Sequence, residues 1–243
     1  NDCFITNQFL KLYNKYCPGP ISFILKIKKN SLISNNATNK KKTLAVRFPK
    51  HPLTRRLLKN LKYPLAAPSA NISTKISPIS KQDVIHEFGK KIKFVLNGGE
   101  SKIGLESTII NLTNKPQILR LGGIERSKIN KFLKTNIKFM KKPNNNLFPG
   151  QGKVHYSPAI PMRLNVKKPK QNEAFVLIKK SKLSSKNFFY LTKNKNLKEA
   201  AKNLYKTLRI IKKKKFKSIA IEKIPNTGFG EAINDRLIRA SKF

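Results

Sequence analysis

The residues with the clearest chemical potential form one short stretch, residues 66–78, with the sequence AAPSANISTKISP. Its hydroxyl and amide groups are Ser69, Asn71, Ser73 and Ser77, and the small residues among them allow a ligand to approach the backbone closely. Neutral donors on a tight loop suit recognition of a phosphate or a carboxylate. The spacing is also typical of an ordinary Ser- and Asn-rich turn, and no Gly-Lys-Ser/Thr closes it as in a Walker loop.

Two arginines stand at the ends of predicted strands. Arg47 follows the apolar Val46, and Arg120 ends the stretch 117–120. Arginine is the side chain that binds a carboxylate through two parallel hydrogen bonds. A single arginine at a strand end is more commonly a solvated edge residue, so these positions alone leave both interpretations open.

The sequence lacks the patterns of several other chemistries. It has no paired-carboxylate site, no Ser-His-Asp order and no His-rich cluster, so no metal site is predicted. His155, beside Tyr156, lies in a Pro- and Gly-rich stretch and by itself indicates a surface loop. Cys3 and Cys17 lie far from any second Cys or His at metal-ligand spacing, which favours reduced thiols in a cytoplasmic protein.

The elements that must position these residues alternate between strand and helix. An α/β domain on a mixed sheet is therefore predicted for the first part of the chain. Helices are predicted to end at Tyr16, to span 51–61, and to run from a capping box at Ser80 and Asp83 to a stop at Gly89. The predicted strands are residues 21–27, 43–48, 92–96, 107–112 and 117–120.

Composition shifts divide the chain into a domain at 1–140, a linker or lid at 141–165 that is rich in Pro, Gly and Asn, and a second domain at 166–243. In the second domain, strands are predicted at 174–178, 188–191 and 218–222. Apolar residues at helical spacing between Leu197 and Ile211 predict a helix between the last two of these strands. A strand-helix-strand unit implies a small parallel sheet.

Charge is the most unusual global property of this 243-residue chain, whose formal net charge is +42. Such a surface attracts polyanions at low salt, which suggests nucleic-acid binding. The overall bias to Lys, Asn, Ile and Phe is equally what an AT-rich coding sequence produces. The lysine runs carry no interleaved aromatic residues, and no apolar run approaches the roughly 20 residues that span a bilayer.

Several motifs follow one another in a definite order. They are PGPIS at 18–22, TLAVRFPKHP at 43–52, APSANIS at 67–73, LNGG at 96–99, GLESTII at 104–110, LRLGGI at 119–124, HYSP at 155–158, NLYKTLR at 203–209 and GFGEAINDRLIRA at 228–240. In order and spacing this series resembles the threonylcarbamoyl-adenylate synthase family, in its long, two-domain form. The resemblance covers nearly the whole chain.

The resemblance implies a YrdC-like twisted mixed sheet with helices, followed by a small Rossmann-like α/β C-terminal domain. It implies a nucleotidyltransferase that joins L-threonine, bicarbonate and ATP, with Mg²⁺, into threonylcarbamoyl-AMP and pyrophosphate. A downstream threonylcarbamoyl transferase would use this product in the t6A37 modification of tRNA. The alternative function is a tRNA or double-stranded RNA binding protein without catalytic activity, which the net charge of +42 would support.

The resemblance also implies roles for individual residues. The residues expected to bind L-threonine are Arg47, Ala67 and Ser107. The residues expected to bind ATP are Thr43, Ser69, Asn71, Ser77, Arg120 and Tyr156. Tyr156 would reach the nucleotide from the linker, which could then act as a lid that excludes water from a labile mixed anhydride.

The chain departs from the family pattern at a few positions. Thr74 stands where the family usually has Gly, Asn97 where it has Asp, and Leu121 where it has Pro. The family also begins with a segment bearing Thr-x-x-x-Tyr-Gly and Lys-x-Arg motifs, which this sequence lacks. We therefore expect a fragment without its first segment, belonging either to a longer, active gene product or to an inactive, truncated form.

Overall fold

The computed structural model describes residues 2–140, 155–181 and 185–242. The chain divides into two compact units, each built from two separate stretches. The first unit comprises Asn1–Pro68 and Glu106–Phe148, and the second comprises Ser69–Leu105 and Pro149–Phe243. Residues 141–154, most of the predicted linker or lid, lie outside the described residues. The predicted division at 1–140, 141–165 and 166–243 stays a prediction.

The first unit is organised around a mixed four-stranded sheet, as the sequence predicted. Its strands are β1 (Ile21–Lys26), β2 (Thr43–Arg47), β3 (Thr108–Asn111) and β4 (Gln117–Arg120). Their order is β2-β1-β3-β4; β1 is antiparallel to β2 and parallel to β3, and β3 is antiparallel to β4. The first five residues of β1 are buried, which is why that strand reads as an apolar run.

Four helices accompany this sheet. They are α1 (Asn7–Tyr16), α2 (Asn35–Thr38), α3 (Pro52–Lys59) and α5 (Arg126–Leu133). The Thr6 hydroxyl caps α1 by accepting a hydrogen bond from the Phe9 amide at 3.1 Å. The Phe9 ring in turn meets the ring of Phe23 on β1 edge-to-face, with centroids 5.0 Å apart, and so fixes α1 against the sheet.

The second unit contains the parallel sheet that the strand-helix-strand pattern predicted. Strands β5 (Met162–Arg163), β6 (Ala174–Lys179), β7 (Phe188–Thr192) and β8 (Ile219–Ile221) lie in the order β5-β8-β6-β7. Each neighbouring pair is parallel. Helix α6 (Leu197–Lys213) provides the crossover from β7 to β8, and α7 (Phe229–Ala240) follows β8. The Rossmann-like description of this region is confirmed.

Helix α4 (Lys81–Phe88) also belongs to the second unit. The predicted start and stop are confirmed: the Ser80 hydroxyl accepts a hydrogen bond from the Asp83 amide at 3.2 Å, and Gly89 is the C-terminal cap. The strand predicted at 92–96 is wrong. Phe94 and Leu96 are 89% and 66% exposed, and no described strand pairs with this stretch.

No helix in the described part of the chain combines the length and the apolar character needed to cross a membrane.

Candidate functional site

The register of the first sheet places two of the predicted site residues, Arg47 and Arg120, in one row across its four strands. Ser22, the second residue of β1, is the cross-strand partner of Arg47, the last residue of β2. On β3, Ile109 pairs with Ser22 on one side and with Arg120, the last residue of β4, on the other. Antiparallel pairing thus places the ends of β2 and β4 beside the starts of β1 and β3, and direct cross-strand partners such as Ser22 and Arg47 share a face.

Hydrogen bonds connect Ser22 to Arg120 through Ser107, the residue before β3. The hydroxyl oxygens of Ser22 and Ser107 are 2.8 Å apart, and both residues are buried. Arg120 donates from Nη2 to the Ser107 Oγ and from Nε to the Ser107 carbonyl oxygen, both at 3.0 Å. We call Arg47, Ser22, Ser107 and Arg120 the polar row.

The proton count of the polar row shows what it can still bind. The guanidinium of Arg120 has no acceptor capacity, so it is the donor to Ser107 Oγ. One of the two hydroxyl protons is used between Ser22 and Ser107. Among the described residues, no hydrogen bond of the Ser22 or Ser107 side chain uses the other hydroxyl proton. A ligand oxygen that approaches the two serines would find this donor.

The two charged side chains of the polar row, Arg47 and Arg120, are both cations. The pKa of Arg47 lies below its ordinary value, because surrounding protein disfavours the cation and because the Arg120 guanidinium repels it. Neither cause involves a carboxylate, and the Arg47 side chain remains accessible to water. Two guanidinium groups that repel one another form a site that is stabilised by a bound anion.

Gly122 allows the chain after β4 to pass close to Ser107. A Cβ atom at this position would collide with the carbonyl oxygen of Glu106 and the carbonyl group of Ser107. The Gly123 amide also donates to the Glu106 carbonyl oxygen, at 2.8 Å. The glycines of the LRLGGI motif therefore keep the backbone before β3 in contact with the chain after β4.

Two further predicted residues of the first unit, Thr43 and Ala67, are not members of the polar row. Thr43 begins β2, opposite Lys26, four residues before Arg47. That separation is about 13 Å along a strand. Ala67 is exposed in the irregular segment that follows α3. Their predicted contacts with ATP and threonine are not tested by these positions.

The remaining predicted residues belong to the second unit. Ser69 is exposed and Ser77 is half-buried. Asn71 is buried, and its amide nitrogen donates to the carbonyl oxygens of Ile72 and Lys75 at 3.0 and 3.1 Å. The Asn71 side chain thus closes the loop of which it is a part, an arrangement common for Asn in turns.

Tyr156 is buried within the second unit, with 1% of its surface exposed. The guanidinium carbon of Arg236, which is also buried, lies 4.7 Å from the centroid of the tyrosine ring. The ring of Tyr205 is stacked at 6.0 Å between centroids, and His155 is 4.0 Å away on the same basis. The predicted contact between Tyr156 and a nucleotide stays a prediction.

Comparison with known proteins places the chain in a family. A model described as "Telomere recombination", of the Sua5, YciO and YrdC proteins, matches residues 2–122, and one described as "Threonylcarbamoyl-AMP synthase, C-terminal domain" matches residues 124–242. The threonylcarbamoyl-AMP synthase of Pyrococcus abyssi is 31% identical over an alignment of 252 positions, which covers 96% of this chain and 73% of that protein. The chain belongs to the threonylcarbamoyl-AMP synthase family.

Two further comparisons support membership of the threonylcarbamoyl-AMP synthase family. The Bacillus subtilis enzyme of that name is 31% identical, with 95% of this chain and 72% of that protein covered. The crystal structure of Pyrococcus abyssi Sua5 complexed with L-threonine matches with a TM-score of 0.87 at 30% identity, covering 98% of this chain and 75% of that one. The resemblance, the two-domain form and the fold class inferred from the motifs are therefore confirmed.

Ser22 is the member of the polar row that sequence reasoning missed. The sequence contained a signal for Ser22, because it is the polar residue in the otherwise apolar stretch 21–25 of β1. Its partner Ser107 could be singled out only through the family motif, since Ser107 is not acidic, basic or aromatic and precedes β3 by one residue.

One departure from the family pattern, at Thr74, falls where the backbone conformation favours glycine. Thr74 has φ +72°, a conformation that glycine, the residue that the family resemblance implies here, adopts without strain. For a β-branched residue this conformation costs about 1–2 kcal/mol. Glycine instead adds about 0.5–1 kcal/mol of entropy to the unfolded chain, so the two effects partly offset each other.

We therefore expect Thr74→Gly to raise the melting temperature by about 1–3 °C, in a thermal-denaturation measurement. Thr54→Gly is the matched control, because Thr54 lies inside helix α3 and its replacement should lower the melting temperature. A decrease for both variants would show that Thr74 is not strained.

Proposed function

We propose that this chain catalyses the formation of threonylcarbamoyl-AMP, the product in the names of its relatives, from L-threonine, bicarbonate and ATP, with release of pyrophosphate. The observation that carries the proposal is the polar row, in which two guanidinium groups and a spare hydroxyl proton converge. All the substrates bear anionic groups at pH 7, and a site with two guanidinium groups suits them.

In this proposal Arg47 binds the carboxylate of threonine. Its guanidinium is accessible to solvent and lies beside Ser22, whose hydroxyl group, with that of Ser107, can donate one further hydrogen bond to the amino acid. Ala67 would line the threonine pocket, as the family resemblance implies.

For the nucleotide we propose Arg120 as the residue that neutralises phosphate charge. Arg120 is held by two hydrogen bonds to Ser107, so it is already oriented before a ligand arrives. The family resemblance supports Thr43, Ser69, Asn71, Ser77 and Tyr156 as the other ATP contacts. Because the amide nitrogen of Asn71 is used within its own loop, we propose that this residue holds the loop for its neighbours.

The reaction needs positioning and charge neutralisation more than a protein nucleophile. The amine of threonine combines with bicarbonate to give a carbamate and water. An oxygen of the carbamate then attacks the α-phosphorus, the bond to the bridging oxygen breaks, and pyrophosphate leaves with that bonding electron pair. Guanidinium groups can stabilise both the attacking anion and the departing pyrophosphate.

Magnesium enters this proposal as part of the nucleotide substrate. The described residues include no group of three or more His, Cys, Asp or Glu side chains that could hold a metal ion. Mg²⁺ commonly reaches such sites bound to substrate phosphates, and the residues described here fit that arrangement better than a resident metal centre.

The product is a mixed anhydride of a carbamic and a phosphoric acid, which water would hydrolyse. We therefore propose that a threonylcarbamoyl transferase consumes it during t6A37 modification of tRNA, in the cytoplasm where tRNA is available. Direct contact with tRNA or double-stranded RNA is a separate proposal, which the net charge of +42 supports.

The activity is tested with the full-length gene product, by measuring the pyrophosphate that it releases from ATP. We expect release only when threonine, bicarbonate and ATP are all present, with any one omission abolishing it. Release that does not depend on threonine would contradict the proposal. If no ATP-dependent product forms and RNA binding is tight but falls steeply with added salt, the RNA-binding alternative is correct.

A further inference from the structure

The Ser- and Asn-rich loop, residues 69–78, contains no helix or strand of its own and must be held by its surroundings. It belongs to the same compact unit as the C-terminal region. The amide of Ser157, in the HYSP motif, donates to the carbonyl oxygen of Thr74 at 2.9 Å, and Lys75 forms an isolated parallel bridge with Ser157. The C-terminal region therefore contacts the loop through the backbone.

Arg209, on helix α6, makes the main side-chain contact with this loop. Its Nη2 donates to the carbonyl oxygen of Ile76, next to Ser77, at 2.9 Å. The same guanidinium lies 3.6 Å from a carboxylate oxygen of Asp83 and 3.6 Å from one of Glu87, both on helix α4. These two carboxylates are the link between Arg209 and the rest of the loop.

Each of the two carboxylates binds a different amide, one within the loop and one directly after it. Glu87 Oε1 accepts a hydrogen bond from the Ile72 amide at 3.2 Å, and Asp83 Oδ2 accepts one from the Ile79 amide at 2.9 Å. Arg209 thus acts directly at Ile76, and through its ion pairs with Glu87 and Asp83 it acts at Ile72 and at Ile79, the residue after the loop. Its side chain is 17% exposed, so these interactions are only partly screened by water.

The geometry requires an arginine rather than any cation. A guanidinium presents donors in a fixed plane and can serve a carbonyl group and two carboxylates at once, whereas an ammonium is a point charge. Among the residues that the structure describes, the buried Nε of Arg209 has no hydrogen-bond partner. Burial of an unpaired donor is unfavourable, so the contacts at the two Nη atoms must outweigh it.

We propose that Arg209 is a positioning residue through which the C-terminal domain holds the Ser- and Asn-rich loop in the conformation that binds ATP. The inference rests on the proposed function for its assignment of the loop to ATP. It makes helix α6 part of the nucleotide-binding apparatus, although Arg209 itself does not touch the substrate in this account.

A first test measures the loop directly, by hydrogen exchange of the amides between Ile72 and Ile79. We expect Arg209→Ala to accelerate their exchange roughly 10- to 100-fold, the effect of losing a charge-assisted hydrogen bond. Lys206→Ala is the matched control: Lys206 lies one turn away on α6 and pairs at 3.2 Å with Glu100, which is outside the loop. Lys206→Ala should leave these amides unchanged.

A second test separates positioning from general stabilisation by kinetics. We expect Arg209→Ala to raise KM for ATP roughly tenfold, while KM for threonine changes less than twofold. Arg209→Lys should restore only part of this, because an ammonium cannot bridge both carboxylates. Arg209 lines a cavity of about 390 Å³ together with Lys206 and Lys213. Guanidinium ion added to the solution can enter this cavity in Arg209→Ala, so it should partly restore ATP binding by that variant and leave ATP binding by wild type unchanged.

Different outcomes overturn different claims. Unchanged exchange in Arg209→Ala, or equal changes in KM for both substrates, would overturn the role of Arg209. If wild type releases no threonine-dependent pyrophosphate, the proposed function fails, yet hydrogen exchange still decides whether Arg209 holds the loop. Should Arg209→Ala not fold, Arg209→Lys replaces it: an ammonium cannot serve the Ile76 carbonyl group and both carboxylates at once, so exchange of the amides between Ile72 and Ile79 must still rise if the inference is correct.

Discussion

Replacing Arg47 with alanine is expected to raise KM for threonine roughly 10- to 100-fold while leaving KM for ATP nearly unchanged. The reason is that the amino-acid carboxylate would lose a charge-assisted hydrogen-bond partner. Arg47 lies beside Ser22 in the register of β1 and β2, and its pKa is lowered because the surrounding protein and the Arg120 guanidinium disfavour the cation. Initial rates of pyrophosphate release, with each substrate varied in turn, measure both constants.

Two further variants make the test of Arg47 specific. Arg55→Ala removes the same charge from an exposed position on α3, so it reports the effect of net charge alone and should change neither constant. Arg47→Lys keeps the charge but loses the planar fork, and threonine binding should recover only in part. Equal increases in KM for both substrates would contradict the assignment of Arg47 to threonine.

Much of the fold could be predicted because local signals agreed with the tertiary structure. Strand β4 has the bounds that its apolar pattern predicted, Gln117–Arg120. Helix α6 was predicted from apolar residues at helical spacing, and those residues, from Ala200 to Ile211, are buried in the structure. The parallel arrangement of the second sheet followed from the length of the crossover, because a helix of this size returns the chain to the same edge.

The strand predicted at 92–96 failed for a reason that local pattern does not contain. Apolar alternation makes a strand only where a neighbour can satisfy its backbone groups, and no described strand lies beside Ile92, Phe94 and Leu96. The same limit applies to β5, a strand of two residues that the sequence did not predict, which exists through its pairing with β8.

The candidate site was only partly readable from the sequence. Arg47 and Arg120 were identifiable as strand-end arginines, but whether such residues are solvated or converge depends on register, which pairs Arg47 with Ser22 and Arg120 with Ile109. Nor does a residue type reveal whether its polar atoms are already used. Asn71 spends its amide donors within its own loop, and the ring of Tyr156 packs against Arg236.

The second large effect is expected at Arg120. Arg120→Ala should lower kcat roughly 10²- to 10³-fold, the usual effect of removing one preorganised donor that stabilises developing charge. Because Arg120 also donates two hydrogen bonds to Ser107, its loss frees the serine hydroxyl to rotate, and KM for threonine should rise as well. Single-turnover rates of pyrophosphate release at saturating substrates measure the chemical step separately from binding.

Ser107→Ala distinguishes the two roles of Arg120. This variant removes the hydroxyl that Arg120 and Ser22 share but keeps the positive charge and the hydrogen bond from Arg120 Nε to the Ser107 carbonyl oxygen. If Arg120 acts on the departing pyrophosphate, Ser107→Ala should raise KM for threonine with a much smaller loss of kcat than Arg120→Ala. Equal losses of kcat, with no further loss in the double variant, would mean that Arg120 acts only by orienting Ser107.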